Sequence, residues 1–291
     1  LVEALAPRLQ TERAASCIAT LDTRQVESLP MDWMDLFELE SAFESTFNAT
    51  APLKTTPVDL VCFDACQDAS IELAAVLRPY GRLMVANQSG TPILEGWPFD
   101  VWPKVLNPNT FLDDAAVARH FVDSYAQIAR SRNVISVMAL SGVEKVLQTL
   151  GELSSILLSD WTACGPVLNE AASPAACPSV PNSYADKRDM VKLVSNLRDG
   201  AIKRGGNFRQ LADAAAAVVD AVTEIIVDCS TCADSRKYGY NGISIYLPDG
   251  TMPMSPYAAT IYSPETPDFG GFKAMTRWHD VVSQFAQSRP R

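Results

Sequence analysis

Residues 58–72 read Val58-Asp-Leu-Val-Cys-Phe-Asp-Ala-Cys-Gln-Asp-Ala-Ser-Ile-Glu72. The first six residues form a short apolar run of strand type, with Pro57 before it and Asp64 after it. The pattern from Ala69 to Leu77 is helical. This stretch therefore predicts a strand, a short loop that carries Cys66, and a helix.

A second apolar run follows, after Pro79 and Gly81 have ended the helix. Arg82-Leu-Met-Val-Ala86 is a candidate for a buried strand, and residues 87–98 after it form a loop rich in Gly, Pro, Asn and Ser. A strand, a helix and a strand with short connections predict a parallel βαβ unit with a right-handed crossover.

The rest of the chain alternates between helical and strand-like patterns. Further strands are predicted over residues 134–139 and 242–247, and helices over 36–47, 112–132, 141–159, 184–204, 208–226 and 278–286. A capping box at Ser141 and Glu144 marks the start of the third of these helices. Residues 160–182 contain four prolines and two cysteines and are predicted as a loop. The predicted fold class is α/β, with one central sheet and helices on both faces.

Composition and charge exclude several kinds of protein. The 291 residues are 47% hydrophobic and 20% charged, which is typical of a globular chain. The formal net charge of −10 makes nucleic acid an unsuitable partner, because phosphate binding needs a basic face. No apolar run approaches the ~18 residues of a membrane span. The first residues, Leu1-Val-Glu-Ala-Leu-Ala-Pro7, carry no initiator Met and no signal peptide, and read as a processed end.

The seven cysteines bear on the cellular compartment. Cys164 and Cys177 flank a loop rich in Pro and Ala, which a disulfide would restrain. Cys229-Ser-Thr-Cys232 has the spacing of a zinc half-site, a redox pair or a local disulfide. Zinc is disfavoured because no second C-x-x-C or His pair exists, and a redox role because the motif follows a helical run. We therefore expect disulfides and a secreted or otherwise oxidising compartment.

Cys66 is the strongest candidate for a catalytic residue. It lies between the end of a strand and the start of a helix, where open α/β sheets bind ligands. The partial positive charge of a helix N-terminus favours the thiolate, which is the nucleophilic form of cysteine. The alternative is a buried cysteine in a packed turn, because free cysteine is among the most buried residue types.

The order of motifs along the chain resembles that of the clostripain-like cysteine peptidases (family C11, clan CD). The central motifs are Phe63-Asp-Ala-Cys66, Ser70-Ile-Glu-Leu-Ala74 and Gly96-Trp-Pro-Phe99. Further matching segments are Leu36–Phe43, Tyr184–Val191, Asn241–Pro248 and Thr276–Trp278. The resemblance implies a caspase-like three-layer αβα sandwich with a mainly parallel central sheet. It also implies an N-terminal arm or linker over residues 1–33 and a peptidase domain over 34–291, with a helical insertion at about 141–228.

The same resemblance implies roles for individual residues. Cys66 matches the nucleophile, and its own backbone N–H an oxyanion donor. The family prefers Arg or Lys at P1, which requires negative charge in the S1 pocket; Asp64 matches the acidic position of the family motif. Glu95 is a second candidate for this pocket, and Trp97 for the wall of the substrate cleft. The alternatives are an N-cap for Asp64, a solvated loop charge for Glu95 and a core aromatic for Trp97.

One catalytic residue of the family is missing from its expected place. The family places a histidine upstream of the cysteine, but the two histidines of this chain, His120 and His279, both follow Cys66. Both fall in predicted helices and match no motif, so we interpret them as surface or packing residues.

Three accounts of the missing histidine remain open. In the leading account, a precursor is cleaved into a light and a heavy chain, and the histidine is on a light chain that pairs with this one. A strand set that begins at Val58 would otherwise leave an apolar edge exposed. In the second account the protein is a non-catalytic pseudo-peptidase whose acidic cleft binds a basic peptide or partner protein. In the third, a plain α/β domain matches the motifs by chance. The sequence shows no cofactor that is required. Some members of the family depend on calcium; no EF-hand-type loop is present here, but scattered carboxylates could form another kind of calcium site, so calcium stays possible.

Overall fold

The structure is a computed structural model, and it describes most of the chain after residue 35. The described residues are 36–50, 56–89, 97, 113–128, 134–180, 187–231, 239–248, 261–263 and 265–288. The predicted N-terminal arm over residues 1–33, Glu95, and the two cysteines Cys17 and Cys232 lie outside them. The domain boundaries and the helical insertion remain predictions.

The strands, in chain order, are β1 (Val58–Phe63), β2 (Gly81–Asn87), β3 (Val134–Ala139), β4 (Lys187–Asp189), β5 (Ile226–Thr231) and β6 (Ser244–Tyr246). The helices are α1 (Leu36–Ala49), α2 (Ile71–Leu77), α3 (Asp114–Ile128), α4 (Val143–Ser159), α5 (Trp161–Ala171), α6 (Met190–Arg204), α7 (Arg209–Ile225), α8 (Phe272–Thr276) and α9 (Trp278–Gln287).

The central sheet of the described residues has the strand order β1-β2-β3-β5. Strands β1 and β2 are parallel, as the predicted βαβ unit requires, but β3 is antiparallel to both of its neighbours. Strand β5 is antiparallel to β3 and therefore runs in the same direction as β1 and β2. The described sheet is thus mainly parallel in strand direction, as predicted, and β3 makes it mixed. The reason lies in α3, which begins near the amino end of β2, where Arg82 and Asp114 form an ion pair of 2.9 Å. β3 then starts at the other end of β2, where the Gln88 N–H donates to the Val134 carbonyl (2.7 Å). From that end β3 runs back along β2, which makes the pair antiparallel.

Alternating side chains give the sheet two apolar faces. Leu83 and Val85 pack with α3, whereas Met84 and Ala86 pack with the larger helical layer that contains α2, α4, α6, α7 and α9. The sheet thus lies between two helical layers, which is the αβα architecture predicted from the sequence. None of the helices in the described part of the chain is long and apolar enough to cross a membrane.

Two local predictions in the helical region were wrong. The capping box at Ser141 and Glu144 does not form, because residues 140–142 make a 3₁₀ turn and the N-cap of α4 is Gly142, without a side-chain hydrogen bond. The predicted loop over 160–182 contains helix α5. Asp160 caps this helix by accepting the Ala163 N–H (3.1 Å), and burial of one face stabilises it despite the internal Pro166.

Strands β4 and β6 form a small antiparallel sheet of their own. A parallel bridge between Ser70 and Ser244 joins this small sheet to the residue that caps α2. The small sheet therefore lies against the loop between β1 and α2, which is the loop that carries Cys66.

Candidate active site

Cys66 lies in the loop of residues 64–70, which we call the nucleophile loop. β1 ends at Phe63 and α2 begins at Ile71, so this loop stands at the carboxyl edge of the parallel strand pair. The Cys66 side chain is exposed. This exposure disagrees with the alternative of a buried cysteine in a packed turn.

Hydrogen bonds from the next strand fix the backbone of the nucleophile loop. The Gln67 N–H donates to the Ser89 carbonyl (3.1 Å), and the Ala69 N–H donates to the Asn87 carbonyl (2.9 Å). From the small sheet, both the N–H (2.8 Å) and the hydroxyl (3.0 Å) of Ser244 donate to the Ala69 carbonyl. The loop that presents the thiol is thus held to two separate sheets.

Asp64 stands two residues before Cys66, and its carboxylate accepts a hydrogen bond from the backbone N–H of Trp97. Partial burial raises the pKa of Asp64, and the Trp97 hydrogen bond lowers it by less. The alternative that Asp64 caps the following helix is wrong, because the cap of α2 is Ser70, whose hydroxyl accepts the Leu73 N–H (3.3 Å). The structure therefore brings together Asp64 and Trp97, two of the predicted site residues.

The Trp97 side chain does not line an open cleft. It is 4% exposed and packs in the apolar cluster beneath α3, with its ring centroid 6.4 Å from that of Tyr125. Trp97 approaches the site through its backbone, because its N–H binds the Asp64 carboxylate. The interpretation of Trp97 as a core aromatic therefore fits its side chain, and the predicted cleft-lining role does not.

A buried polar network, which the sequence did not reveal, supports the site from the protein interior, at the end of β2. The Asp189 carboxylate is fully buried and accepts from the Gln88 side-chain amide (2.8 Å), the Lys192 N–H (2.8 Å), and the N–H (2.5 Å) and side-chain amide (2.9 Å) of Asn241. Burial raises the pKa of Asp189, and these hydrogen bonds oppose that rise. The Gln88 side chain also accepts the Gly242 N–H (2.9 Å), so it joins the end of β2 to the segment before β6.

The expected disulfide between Cys164 and Cys177 is absent. No disulfide joins any two of the five cysteines that the structure describes. Cys164 lies in α5, whereas the Cys177 thiol is directed at the Asp189 carbonyl (3.9 Å). Burial raises the pKa of Cys177 to about 12. The five described cysteines therefore give no support to an oxidising compartment.

Neither histidine stands in the nucleophile loop. His120 lies on α3, and His279 lies on α9 with its Nε2 atom 3.2 Å from an Asp280 carboxylate oxygen. These helices belong to the layers on opposite faces of the sheet. Among the residues that the structure describes, no three His, Cys, Asp or Glu side chains are placed to hold a metal ion.

An exposed cysteine on a braced loop at the carboxyl edge of an α/β sheet, with a carboxylate two residues before it, is typical of enzymes that use a thiolate nucleophile. The model of the clostripain family, peptidase family C11, matches residues 25–285. The chain therefore belongs to the clostripain family of cysteine peptidases.

Solved structures of this family share the fold. A B. fragilis cysteine protease superposes with a TM-score of 0.55 at 15% identity, covering 86% of this chain and 96% of that one. A secreted C11 cysteine protease from Bacteroides thetaiotaomicron, bound to an irreversible peptide inhibitor, gives a TM-score of 0.54 at 16% identity, covering 84% of this chain and 63% of that one. Another secreted C11 protease from this organism gives 0.50 at 15% identity, over 73% of this chain and 54% of that one. The chain thus spans less than two thirds of these two B. thetaiotaomicron chains. The shared fold confirms the predicted caspase-like architecture. No curated protein sequence matches the chain.

Proposed function

We propose that this chain is the nucleophile-bearing part of an endopeptidase that cleaves after Arg or Lys, with Cys66 as the nucleophile. The observation that carries the proposal is the exposed Cys66 thiol on a hydrogen-bonded loop, at the carboxyl edge of the sheet in a chain of the clostripain family. The substrates are peptides or proteins with a basic P1 residue.

In the proposed reaction the Cys66 thiolate attacks the carbonyl carbon of the scissile bond. The carbonyl π electrons move to the oxygen, and the backbone N–H of Cys66 donates to this oxyanion. The C–N bond then breaks, a histidine gives its proton to the departing amine, and a thioester remains on Cys66. Water hydrolyses the thioester, which releases the acid product and restores the thiol.

The S1 pocket is proposed to be acidic. From the described residues, the Asp64 carboxylate accepts a hydrogen bond of the Trp97 N–H, and a carboxylate has about four acceptor positions in all. A guanidinium or ammonium group at P1 can use that remaining capacity. Glu95, two residues before Trp97, is the second proposed carboxylate of this pocket.

The histidine is proposed to come from a light chain of the same precursor. β1 is the outermost strand of the sheet that the described residues form, so a strand from that light chain has an edge to pair with. A histidine at the carboxyl end of such a strand would stand beside Cys66.

A secreted location is proposed because the chain shares its fold with proteases that are secreted.

The test uses the active protein with peptides that differ only in P1. Turnover is expected with Arg and Lys and not with Gln or Asp. The Cys66→Ala variant should lose at least about a thousandfold in kcat/KM, because the nucleophile is gone. Cys62→Ala, which removes another exposed cysteine in the same region, is the control and should retain activity.

Three outcomes would overturn parts of this proposal. Turnover by Cys66→Ala removes Cys66 as the nucleophile. An unchanged P1 profile in Glu95→Lys removes Glu95 from the pocket. If denaturing mass spectrometry of the active protein finds no second polypeptide that contains histidine, the light chain is excluded. A protein that binds basic peptides without cleaving them would be the pseudo-peptidase of the second account.

A further inference from the structure

Gln67, the residue directly after Cys66, has an unusual backbone conformation. Its φ of 66° places it in the left-handed region, which only one other non-glycine residue of the described chain enters. Side chains with a Cβ atom adopt this region at an energetic cost, so the conformation persists only where surrounding contacts hold it. The nucleophile is therefore attached to a strained residue, and the contacts that hold this residue determine where the thiol points.

Lys187 supplies one of these contacts from 120 residues away. Its ammonium group donates to the Gln67 carbonyl oxygen at 2.7 Å. The same positive charge acts on the next residue, Asp68, where it lowers a carboxyl pKa that burial raises. A single partly buried cation is thus bonded to the residue after the nucleophile and interacts with the one beyond it.

The position of Lys187 is itself fixed. Lys187 is the first residue of β4 and pairs with Tyr246 of β6. Two residues earlier in β6, Ser244 donates to the Ala69 carbonyl at the other end of the loop. The small sheet therefore binds the nucleophile loop at two points, and Lys187 provides the one nearer to the thiol.

We infer that Lys187 is a positioning residue for the peptidase reaction, which holds the Gln67 carbonyl so that Cys66 stays in its reactive orientation. The inference rests on the proposed function of Cys66. Without the ammonium group, Gln67 can relax toward a negative φ and turn both the thiol and the N–H of Cys66. A misplacement of about 1 Å can lower a rate by about a hundredfold. Asp64 has its own restraint, the Trp97 N–H, so substrate binding should change less than the chemical step.

The first experiment compares lysine-to-methionine variants at two positions. Lys187→Met should lower kcat by about twentyfold with KM within about twofold, when rates are divided by the concentration of sites titrated with an irreversible peptidyl inhibitor. Lys187→Arg, which keeps a charged donor, should recover kcat to within about threefold of wild type. Lys145→Met removes an exposed lysine of α4 that is paired with Glu224 and should leave kcat unchanged.

A double-mutant cycle tests the link to the strained residue. Glycine adopts a positive φ without the Cβ penalty, so Gln67→Gly should need Lys187 less. In the Gln67→Gly background, Lys187→Met should lower kcat by less than about threefold, against about twentyfold in the wild-type background. If Lys187→Met is not recovered as folded protein, Lys187→Leu, which also has no hydrogen-bond donor, takes its place in both experiments with the same expectations.

Specific results would overturn the inference. A kcat per titrated site that stays within twofold of wild type in Lys187→Met shows that Lys187 does not position the thiol, even if the melting temperature falls. Equal losses in the wild-type and Gln67→Gly backgrounds would separate Lys187 from the strain at that residue. Retained turnover by Cys66→Ala, in contrast, would refute the proposed function itself, so the two failures are distinguishable.

Discussion

At the carboxyl end of β1 the chain exposes Asp64 and Cys66, whereas at the same end of its parallel neighbour β2 it buries Asn87, Gln88 and Ser89 to 1% exposure or less. We propose the first end as the site of the reaction, and the second end holds the first in place through hydrogen bonds. The backbone carbonyls of Asn87 and Ser89 accept the N–H groups of the nucleophile loop. The Gln88 side chain connects the same end of β2 to Asp189.

Because the β1 end is exposed and the β2 end is buried, we expect substitutions at the two ends to have different effects. An exposed side chain has few packing contacts to lose, so its substitution should change the reaction and leave the fold intact. A buried polar group that loses its partner costs the full desolvation of the group that remains. Substitutions at the β1 end should therefore act on rates, and those in the β2 network should act on the free energy of unfolding.

Asp189→Asn should be strongly destabilising. The Gln88 amide and the Asn241 N–H now donate to the same carboxylate oxygen of Asp189. The amide nitrogen of an asparagine in that place could accept neither hydrogen bond. We expect a loss of about 3 kcal/mol in the free energy of unfolding, measured by urea denaturation at pH 7. Asp199→Asn, on the exposed surface of α6, is the matched control and should change stability by less than about 0.5 kcal/mol. A loss below about 1 kcal/mol at Asp189 would show that the network does not support this end of the sheet.

Gly242→Ala should damage the same network by a steric route. Gly242 has a φ of 95°, and a Cβ atom there would lie 2.8 Å from the Ser136 Cβ and 2.9 Å from the Cys229 Sγ. We expect a loss of about 2 kcal/mol, from strained backbone and overpacking together. Gly206→Ala is the control, because Gly206 also has a positive φ (53°) but no atom within 4 Å of its Cβ position. Equal losses in the two variants would attribute the effect to the dihedral angle alone.

Asp64→Asn should change specificity and leave stability alone. Asparagine can still accept the Trp97 N–H, but it removes the charge that a basic P1 residue would meet. We expect kcat/KM for Arg and Lys peptides to fall by about thirtyfold, with the melting temperature unchanged. A loss that is equal for basic and neutral P1 residues would contradict a pocket role for Asp64.

The smallest effect is expected at a thiol of the buried region. Burial raises the pKa of Cys177 from 9.0 to about 12, so the folded chain keeps this proton after the unfolded chain has released it. The stability that this thiol contributes is complete below pH 9 and is lost as the pH rises toward 12. Between about pH 8 and pH 10 the loss from this group should be about 1 kcal/mol. The Cys177→Ala variant should lose correspondingly less stability over that interval in urea unfolding; an identical pH dependence would refute the assignment.

The sequence predicted the β1 end well and the β2 end poorly, for a physical reason. Strands β1 and β3 were predicted at their observed bounds, and β2 within a residue at each end, because apolar runs between proline, glycine and polar residues are local signals. Asn87 to Ser89 look like an exposed loop from sequence, since nothing local indicates that partners 101 and 154 residues away will bury Gln88.

The same limit applies to Lys187 and to the direction of β3. Lys187 meets Gln67 across 120 residues, and no motif links the two. The antiparallel β3 depends on the course of α3 relative to β2, which a pattern of apolar residues does not encode. Helix α5 was missed because Pro166 and two cysteines indicated a loop, whereas tertiary packing stabilises a helix there.

The most direct test of the central claim is to locate the adduct of an irreversible inhibitor. The active protein is treated with a peptidyl acyloxymethyl ketone that has Arg at P1, digested, and sequenced by tandem mass spectrometry. The account predicts one modification, on Cys66, that an excess of an Arg peptide substrate prevents. Modification of Cys62 or any other cysteine instead, or labelling of Cys66 that the substrate does not prevent, would contradict Cys66 as the nucleophile.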